Sequence, residues 1–167
     1  MPSVTRRTFA TLFALTGVSG FVRPLRAQDG AALQSRFLAD LAIDIDAPRD
    51  AGAGRGGRLI VQVTRGTIDG PRLRGSILGP SGDWIVERSD KSRVLDVRLL
   101  VQTDDNELIY VWWRGVAYTA ANGSLFARIT PVFETGARKY EWLNNVVAVG
   151  VYRPTPGKVA YRLFEVL

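Results

Sequence analysis

From residue 37 onward, apolar and polar residues alternate in short runs broken by turn residues. Residues 37–46 end with Leu41, Ile43 and Ile45 set against Ala42, Asp44 and Asp46, a period of two that predicts a first strand. Similar runs follow at 58–64, 73–78, 83–88, 94–103, 107–118, 125–135, 142–151 and 159–166. Gly66, Gly70-Pro71, Gly79-Pro80-Ser81-Gly82 and the 154–157 stretch supply the breaks. Only the region near 33–41 carries apolar residues at helical spacing. About eight or nine strands at such close spacing predict an all-β domain, an antiparallel sandwich or a single antiparallel β-barrel. A barrel has the advantage of leaving no exposed edge.

The two central hairpins can be registered by hand. With Asp105-Asn106 as a two-residue turn, Asp96 falls opposite Gly115, Arg98 opposite Trp113 and Leu100 opposite Val111. With Asn122-Gly123 as the next such turn, Gly115 faces Thr130, Trp113 faces Val132, Val111 faces Glu134 and Ala117 faces Arg128. Alternation then gathers Asp96, Arg98, Gln102, Trp113, Arg128, Thr130 and Glu134 on one face, and Leu95, Val97, Leu99, Val101, Tyr110, Trp112 and Ile129 on the other. A three- or five-residue turn around Gly136 brings Trp142 and Asn144 to the polar face; a four-residue turn does not, because a one-residue slip reverses every side chain. Pro131 lacks a ladder donor and marks an edge or bulge.

Two readings of the polar face stand. In one it is wet, a lattice of exposed ion pairs worth ~0–1 kcal/mol each. In the other it lines a barrel interior or cleft, with Trp113, Trp142 and Phe126 as walls and Gly115 leaving room for a small ligand.

Composition narrows the chemistry. The chain has 167 residues, 46% of them hydrophobic, which suits one globular domain. Residues 1–27 combine Arg6-Arg7-Thr8-Phe9, an apolar run and Leu25-Arg26-Ala27, the pattern of a twin-arginine export signal cut after Ala27. That places the mature protein in the periplasm, with a flexible leader at 28–35, a barrel domain at 36–167 and no stable membrane insertion. Taking the four signal arginines from 22 basic residues leaves 18 against 16 acidic, a net +2 that gives no electrostatic case for nucleic acid. The chain has no cysteine and no histidine, which removes thiolate, Cys/His metal-ligand and Ser-His-Asp chemistry. Acid–base work falls to Asp, Glu, Tyr, Arg or the lysines Lys91, Lys139 and Lys158. Gly52-Ala53-Gly54-Arg55-Gly56-Gly57 matches a dinucleotide fingerprint in form, but a strand follows where the motif needs a helix, so it reads as a loop.

A set of local runs goes further than composition. The run 66–75 (GTIDGPRLRG), then Asp83-Trp84, Leu95-Asp96-Val97-Arg98, Thr103-Asp104-Asp105 with Ile109-Tyr110, Gly115, Arg128 with Pro131, Phe133-Glu134-Thr135-Gly136 and Tyr140-Glu141-Trp142-Leu143-Asn144 occur in order. Together they resemble uncharacterised protein family 0311, also called domain of unknown function 3237, over about residues 36–167. Asn106 stands where that family usually has Gly, and the 119–124 connection is shorter than in many relatives. The resemblance implies an antiparallel β-barrel similar to calycin or allene-oxide-cyclase and dirigent-like barrels. It implies no general activity. Asp83, Trp84, Asp96, Arg98, Arg128, Glu134, Trp142 and Asn144 all stand at its motif positions, which favours the pocket reading of the polar face.

Two function classes follow. The first is a metal-independent enzyme without cofactor, acting on a small organic molecule by isomerisation, cyclisation or elimination. In it Glu134 or Asp96 is the general acid or base and Arg98 or Arg128 stabilises negative charge. Tyr140 and Asn144 orient the substrate, and Asp83, Trp84, Trp113, Thr130 and Trp142 line the site. The second is a binding protein without turnover that uses the same pocket. A structural protein whose apolar face forms a homo-oligomer interface is the weaker third reading.

Overall fold

Strands rich in Val, Ile, Leu and aromatics pair with their neighbours in sequence, and the last returns to the first. A computed structural model describes residues 32–52 and 57–167. The expected signal at 1–27, the start of the 28–35 leader and the centre of the glycine-rich loop, 53–56, lie outside the described residues. The strands are β1 (Ser35–Ile45), β2 (Arg49–Asp50), β3 (Arg58–Asp69), β4 (Arg74–Glu87), β5 (Arg93–Thr103), β6 (Leu108–Thr119), β7 (Leu125–Glu134), β8 (Ala148–Tyr152) and β9 (Val159–Val166), with a 3-10 helix at Arg138–Asn145. Hydrogen bonding runs β1-β9-β8-β7-β6-β5-β4-β3-β2, and β1 also pairs with β3. Eight strands therefore close into an antiparallel barrel, and the two-residue β2 is an extra strand against β3.

Inward positions fill the barrel. Leu41, Val63, Ile68, Leu99, Val101, Ile109, Trp113, Ile129, Phe133 and Leu163 are among the largest fully buried side chains. The strands expected at 73–78 and 83–88 are one strand, β4, with a register shift between Leu78 and Gly82. Ser81 holds the shift: its Oγ donates to the Leu78 carbonyl at 2.6 Å and accepts the Leu100 N–H at 3.1 Å. Gly79-Pro80-Ser81-Gly82 thus bends a strand instead of ending it.

Both central hairpins differ from the hand register by one residue, for the same reason. Each has a three-residue loop, a turn followed by one residue in the left-handed region. At β5–β6, Thr103 N–H donates to Glu107 O and Asn106 N–H to Thr103 O, with Asn106 at φ 65°. At β6–β7, Ala120 N–H donates to Ser124 O and Gly123 N–H to Ala120 O, with Gly123 at φ 80°. Arg98 consequently pairs with Trp112, and Trp113 with Val97 and Pro131. Across three strands the two slips cancel. Asp96, Arg98, Arg128, Thr130 and Glu134 do share a face, but their β6 neighbours are Tyr110, Trp112 and Arg114, not Val111, Trp113 and Gly115. That face is the outside of the barrel.

The two ends of the barrel differ. At one, the segment expected to be the start of a 142–151 strand is the 3-10 helix, whose Tyr140 and Leu143 are buried against the core. At the other, the inward-facing Leu59, Asp83, Gly115, Tyr152 and Val159 are all half-buried, and among the described residues no helix covers them.

Candidate functional site

The open end holds Asp83, a half-buried carboxylate on the inward face of β4. Asp83 pairs with Val61 on β3 and Val97 on β5, both buried, so its side chain lies on their inward face. The same row continues to Trp113 on β6. Asp83 Oδ1 accepts the Asp96 backbone N–H at 3.0 Å. Burial pushes its pKa up to about 6; that hydrogen bond opposes the rise and the negative charge of Asp96 adds to it. Among the described residues, no cation offsets the burial. The nearest arginine of inward parity, Arg93 at the rim, is occupied with Glu87 at 3.6 Å.

Tyr161 lies near enough for the Asp83 charge to act on it, and it belongs to a cluster of rings. The rings of Trp113 and Tyr161 meet edge to face at 6.1 Å, and those of Tyr161 and Tyr152 at 6.0 Å. Burial, with the Asp83 charge as the next cause, raises the pKa of Tyr161, so its hydroxyl stays protonated. Trp113 is 1% exposed, and its indole Nε1 is the buried side-chain nitrogen or oxygen without a hydrogen-bond partner among the described residues. A half-buried carboxyl that exchanges its proton near neutral pH, two phenols and an unpartnered indole N–H thus share the inward face of the open half of the barrel. A carboxyl so placed can exchange a proton with a molecule that reaches it at the open end.

The expected site residues divide into four places. Asp83 and Trp113 enter the barrel. Asp96, Arg98, Trp84, Arg128, Thr130 and Glu134 lie on the outer surface, correcting the expectation that their face is the barrel interior. There Arg98 reaches Asp96 at 3.3 Å and lies over the Trp84 ring at 5.1 Å. Glu134 accepts the Trp112 Nε1–H at 2.8 Å, Thr130 donates to the Arg114 carbonyl at 3.3 Å, and Arg128 lies over Phe126 at 4.1 Å. Tyr140 and Asn144 fasten the 3-10 helix: the Tyr140 hydroxyl donates to Asp105, and Asn144 exchanges two 2.9 Å hydrogen bonds with the Thr135 backbone. Trp142 carries the Arg72 guanidinium 3.5 Å from its ring centre, in an outer cleft of about 670 Å³ that also includes Arg74, Asp105 and Lys139.

Gly115 leaves no vacant space. A Cβ there would meet the Ile129 side chain at 2.7 Å and the Arg128 carbonyl at 2.6 Å, so the glycine admits the neighbouring strand. Tyr152 and Tyr161 escaped sequence reasoning, although Val159, Tyr161 and Leu163 alternate visibly in the last strand. Their place beside Trp113 depends on barrel closure, which no local pattern gives. Among the described residues, no three carboxylates come together in a way that would hold a metal ion.

Similarities to known proteins agree with this architecture. The chain is 24% identical over 149 residues to the UPF0311 protein RPA1785 of Rhodopseudomonas palustris, covering 81% of this chain and 97% of that one. It is 32% identical over 89 residues to the hydroalkoxylation enzyme phnH of Penicillium herquei, covering 53% of this chain and 52% of the enzyme, so that match spans about half of each. A solved β-barrel-like protein from Acinetobacter baumannii superposes with a TM-score of 0.74 at 30% identity, covering 81% of this chain and 96% of that one. The model of the protein family of unknown function DUF3237 matches residues 33–166, essentially the whole barrel, and the chain belongs to that family.

Proposed function

We propose that the open end of the barrel is an acid–base site for a small unsaturated organic molecule, with Asp83 as the proton-transfer group. The observation that carries this is an inward, half-buried carboxyl at the open end, without a cationic partner among the described residues and close enough to Tyr161 for its charge to act there. The reaction class it suits best is the closing of a hydroxyl onto a carbon–carbon double bond. Protonated Asp83 gives its proton to one alkene carbon, the hydroxyl oxygen bonds to the other, and the hydroxyl proton returns to the carboxylate. Reactant and product are isomers, so no oxidant or co-reactant is consumed. The Penicillium herquei relative, named for hydroalkoxylation, supports the choice.

The test is ring closure of ortho-alkenyl phenols followed by chromatography across pH. The active form is the protonated acid, so the rate should be highest below about pH 6 and fall as pH rises through that value. Asp83→Asn should lower it by about 10²–10⁴-fold while the barrel stays folded. Turnover unchanged in Asp83→Asn would overturn the proposal.

We place this chemistry in the periplasm on the sequence of residues 1–27 alone. Replacing Arg6 and Arg7 with lysine should leave precursor in the cytoplasm, and unaltered export of that variant would contradict the placement.

A further inference from the structure

We propose that the outer cleft beside the 3-10 helix is a second binding site, which takes a small organic carboxylate through the guanidinium of Arg72. It lies at the end of the barrel opposite Asp83 and shares no residue with the acid–base site, so the two readings stand or fall separately.

Three segments wall this space of about 670 Å³: the β3–β4 turn, the β5–β6 loop and the 3-10 helix. The turn that carries Arg72 is held in place. Gly70 N–H donates to the Leu73 carbonyl at 2.8 Å, and Leu73 is buried in the core. From that turn the Arg72 guanidinium lies 3.5 Å from the ring centre of Trp142, the stacking that a planar guanidinium makes on an aromatic face. One face of the group is thereby fixed on the indole. The Arg72 side chain is still 45% exposed and lines the cleft, so its N–H donors are within reach of a molecule entering there.

Charge and shape name the ligand class. Glu165 accepts hydrogen bonds from Arg36 Nη2 at 2.6 Å and Nε at 3.2 Å, whereas Arg72 stands 3.7 Å from the same carboxylate, beyond hydrogen-bonding reach. Two cations thus share one acid. The other cations of the cleft are matched singly, Arg74 with Asp69 at 2.9 Å and Lys139 with Asp105. The fork of donors on Arg72 fits a planar carboxylate through two parallel hydrogen bonds, and its stacking on Trp142 lowers the entropy cost of orienting it. Asp104 and Asp105 on the cleft wall oppose a second negative charge, which favours a monoanion over phosphate. Pro71 and the Trp142 ring add apolar surface for the body of the molecule.

The experiment titrates benzoate, its neutral counterpart benzamide, and inorganic phosphate into ¹⁵N-labelled protein at neutral pH and low salt. The Arg72 Nε–H and Trp142 indole signals, assigned by their absence in Arg72→Lys and Trp142→Phe, should both move with benzoate. Benzamide and phosphate should each bind at least about fivefold more weakly. Arg72→Lys keeps the charge and removes the fork; it should weaken benzoate by about tenfold and leave the urea unfolding midpoint unchanged. Benzamide binding as tightly as benzoate would overturn recognition by charge, and phosphate binding as tightly would overturn the carboxylate class. Full benzoate affinity in Arg72→Lys would overturn the role of the fork. If benzoate leaves the Arg72 and Trp142 signals unmoved, or shifts only the Asp83 carboxyl, the cleft is not a carboxylate site and the proposal fails, with the acid–base reading unaffected.

Discussion

Asp105 and Asp83 lie toward opposite ends of the same barrel and have opposite surroundings. Asp105, in the β5–β6 loop, accepts hydrogen bonds from Thr103, Tyr140 and Lys139, which together hold its carboxyl well below the usual carboxylate range. Asp83, inside the open end, accepts one backbone N–H and is pushed up to about 6 by burial. The first joins the 3-10 helix to the adjoining loop and closes its end of the barrel. The second carries a proton that it can give up near neutral pH. Acidic residues of one barrel thus divide into a fastener and a carboxyl that titrates near neutral pH according to the partners that reach them, and sequence spacing alone does not separate the two.

The comparison is broken most severely by removing the helix that seals the first end. Leu143 is 1% exposed, and Leu143→Ala should cost about 2–5 kcal/mol of stability, measured by urea unfolding. If that end is only a seal, the surviving folded fraction should bind interior probes with unchanged affinity.

Asp83→Asn sharpens the comparison in the other direction. A carboxyl with a raised folded-state pKa binds more protons when native than when unfolded, so its contribution to stability falls as pH rises between the unfolded value near 4 and about 6. The variant should therefore be more stable than the parent above pH 6, by up to about 3 kcal/mol, and the gap should close near pH 4. Asp105→Asn should behave oppositely. The stability contributed by Asp105 is present above its unfolded pKa and lost as pH falls through the folded one, so that variant should be less stable at neutral pH. Denaturant midpoints for both variants between pH 4 and 8 test the pair of signs.

Tyr140→Phe is a milder form of the same test. It removes one hydrogen bond to a charged group and should cost about 1.5–3 kcal/mol without shifting the Asp83 titration. The smallest effects belong outside. Arg98→Ala and Glu134→Gln should each cost under about 1 kcal/mol and leave interior binding untouched, because Arg98 and Glu134 are exposed. A large loss of interior binding in either would move the site to the outer face.

The strand pattern and the apolar interior were legible because period-two alternation reports burial directly. The closed barrel was legible through the family resemblance as well as the strand count. Register was not. It turned on Asn106 and Gly123, each the third residue of a loop in the left-handed region, and a two-residue turn uses the same residue types. The error left Asp96, Arg98 and Glu134 correctly grouped but exchanged Trp112 for Trp113, the side chain that matters inside. The 3-10 helix was misread because the residues it buries, Tyr140 and Leu143, stand three apart in only eight residues, too short a run for that period to show against Trp142 and Val146. Asp83 was visible only as a motif position. In Gly82-Asp83-Trp84-Ile85-Val86 both faces carry an apolar residue, so alternation does not say which way the carboxyl points.

The central claim is that Asp83 is a half-buried proton carrier facing the barrel interior, without a cationic partner among the described residues. It is tested most directly by a ¹³C NMR titration of the Asp83 carboxyl, assigned with Asp83→Asn. The account predicts a midpoint of about 6 that moves when an ortho-alkenyl phenol is bound at the open end. A midpoint near 4, the ordinary value for a solvated aspartate, with no response to the ligand, would contradict it.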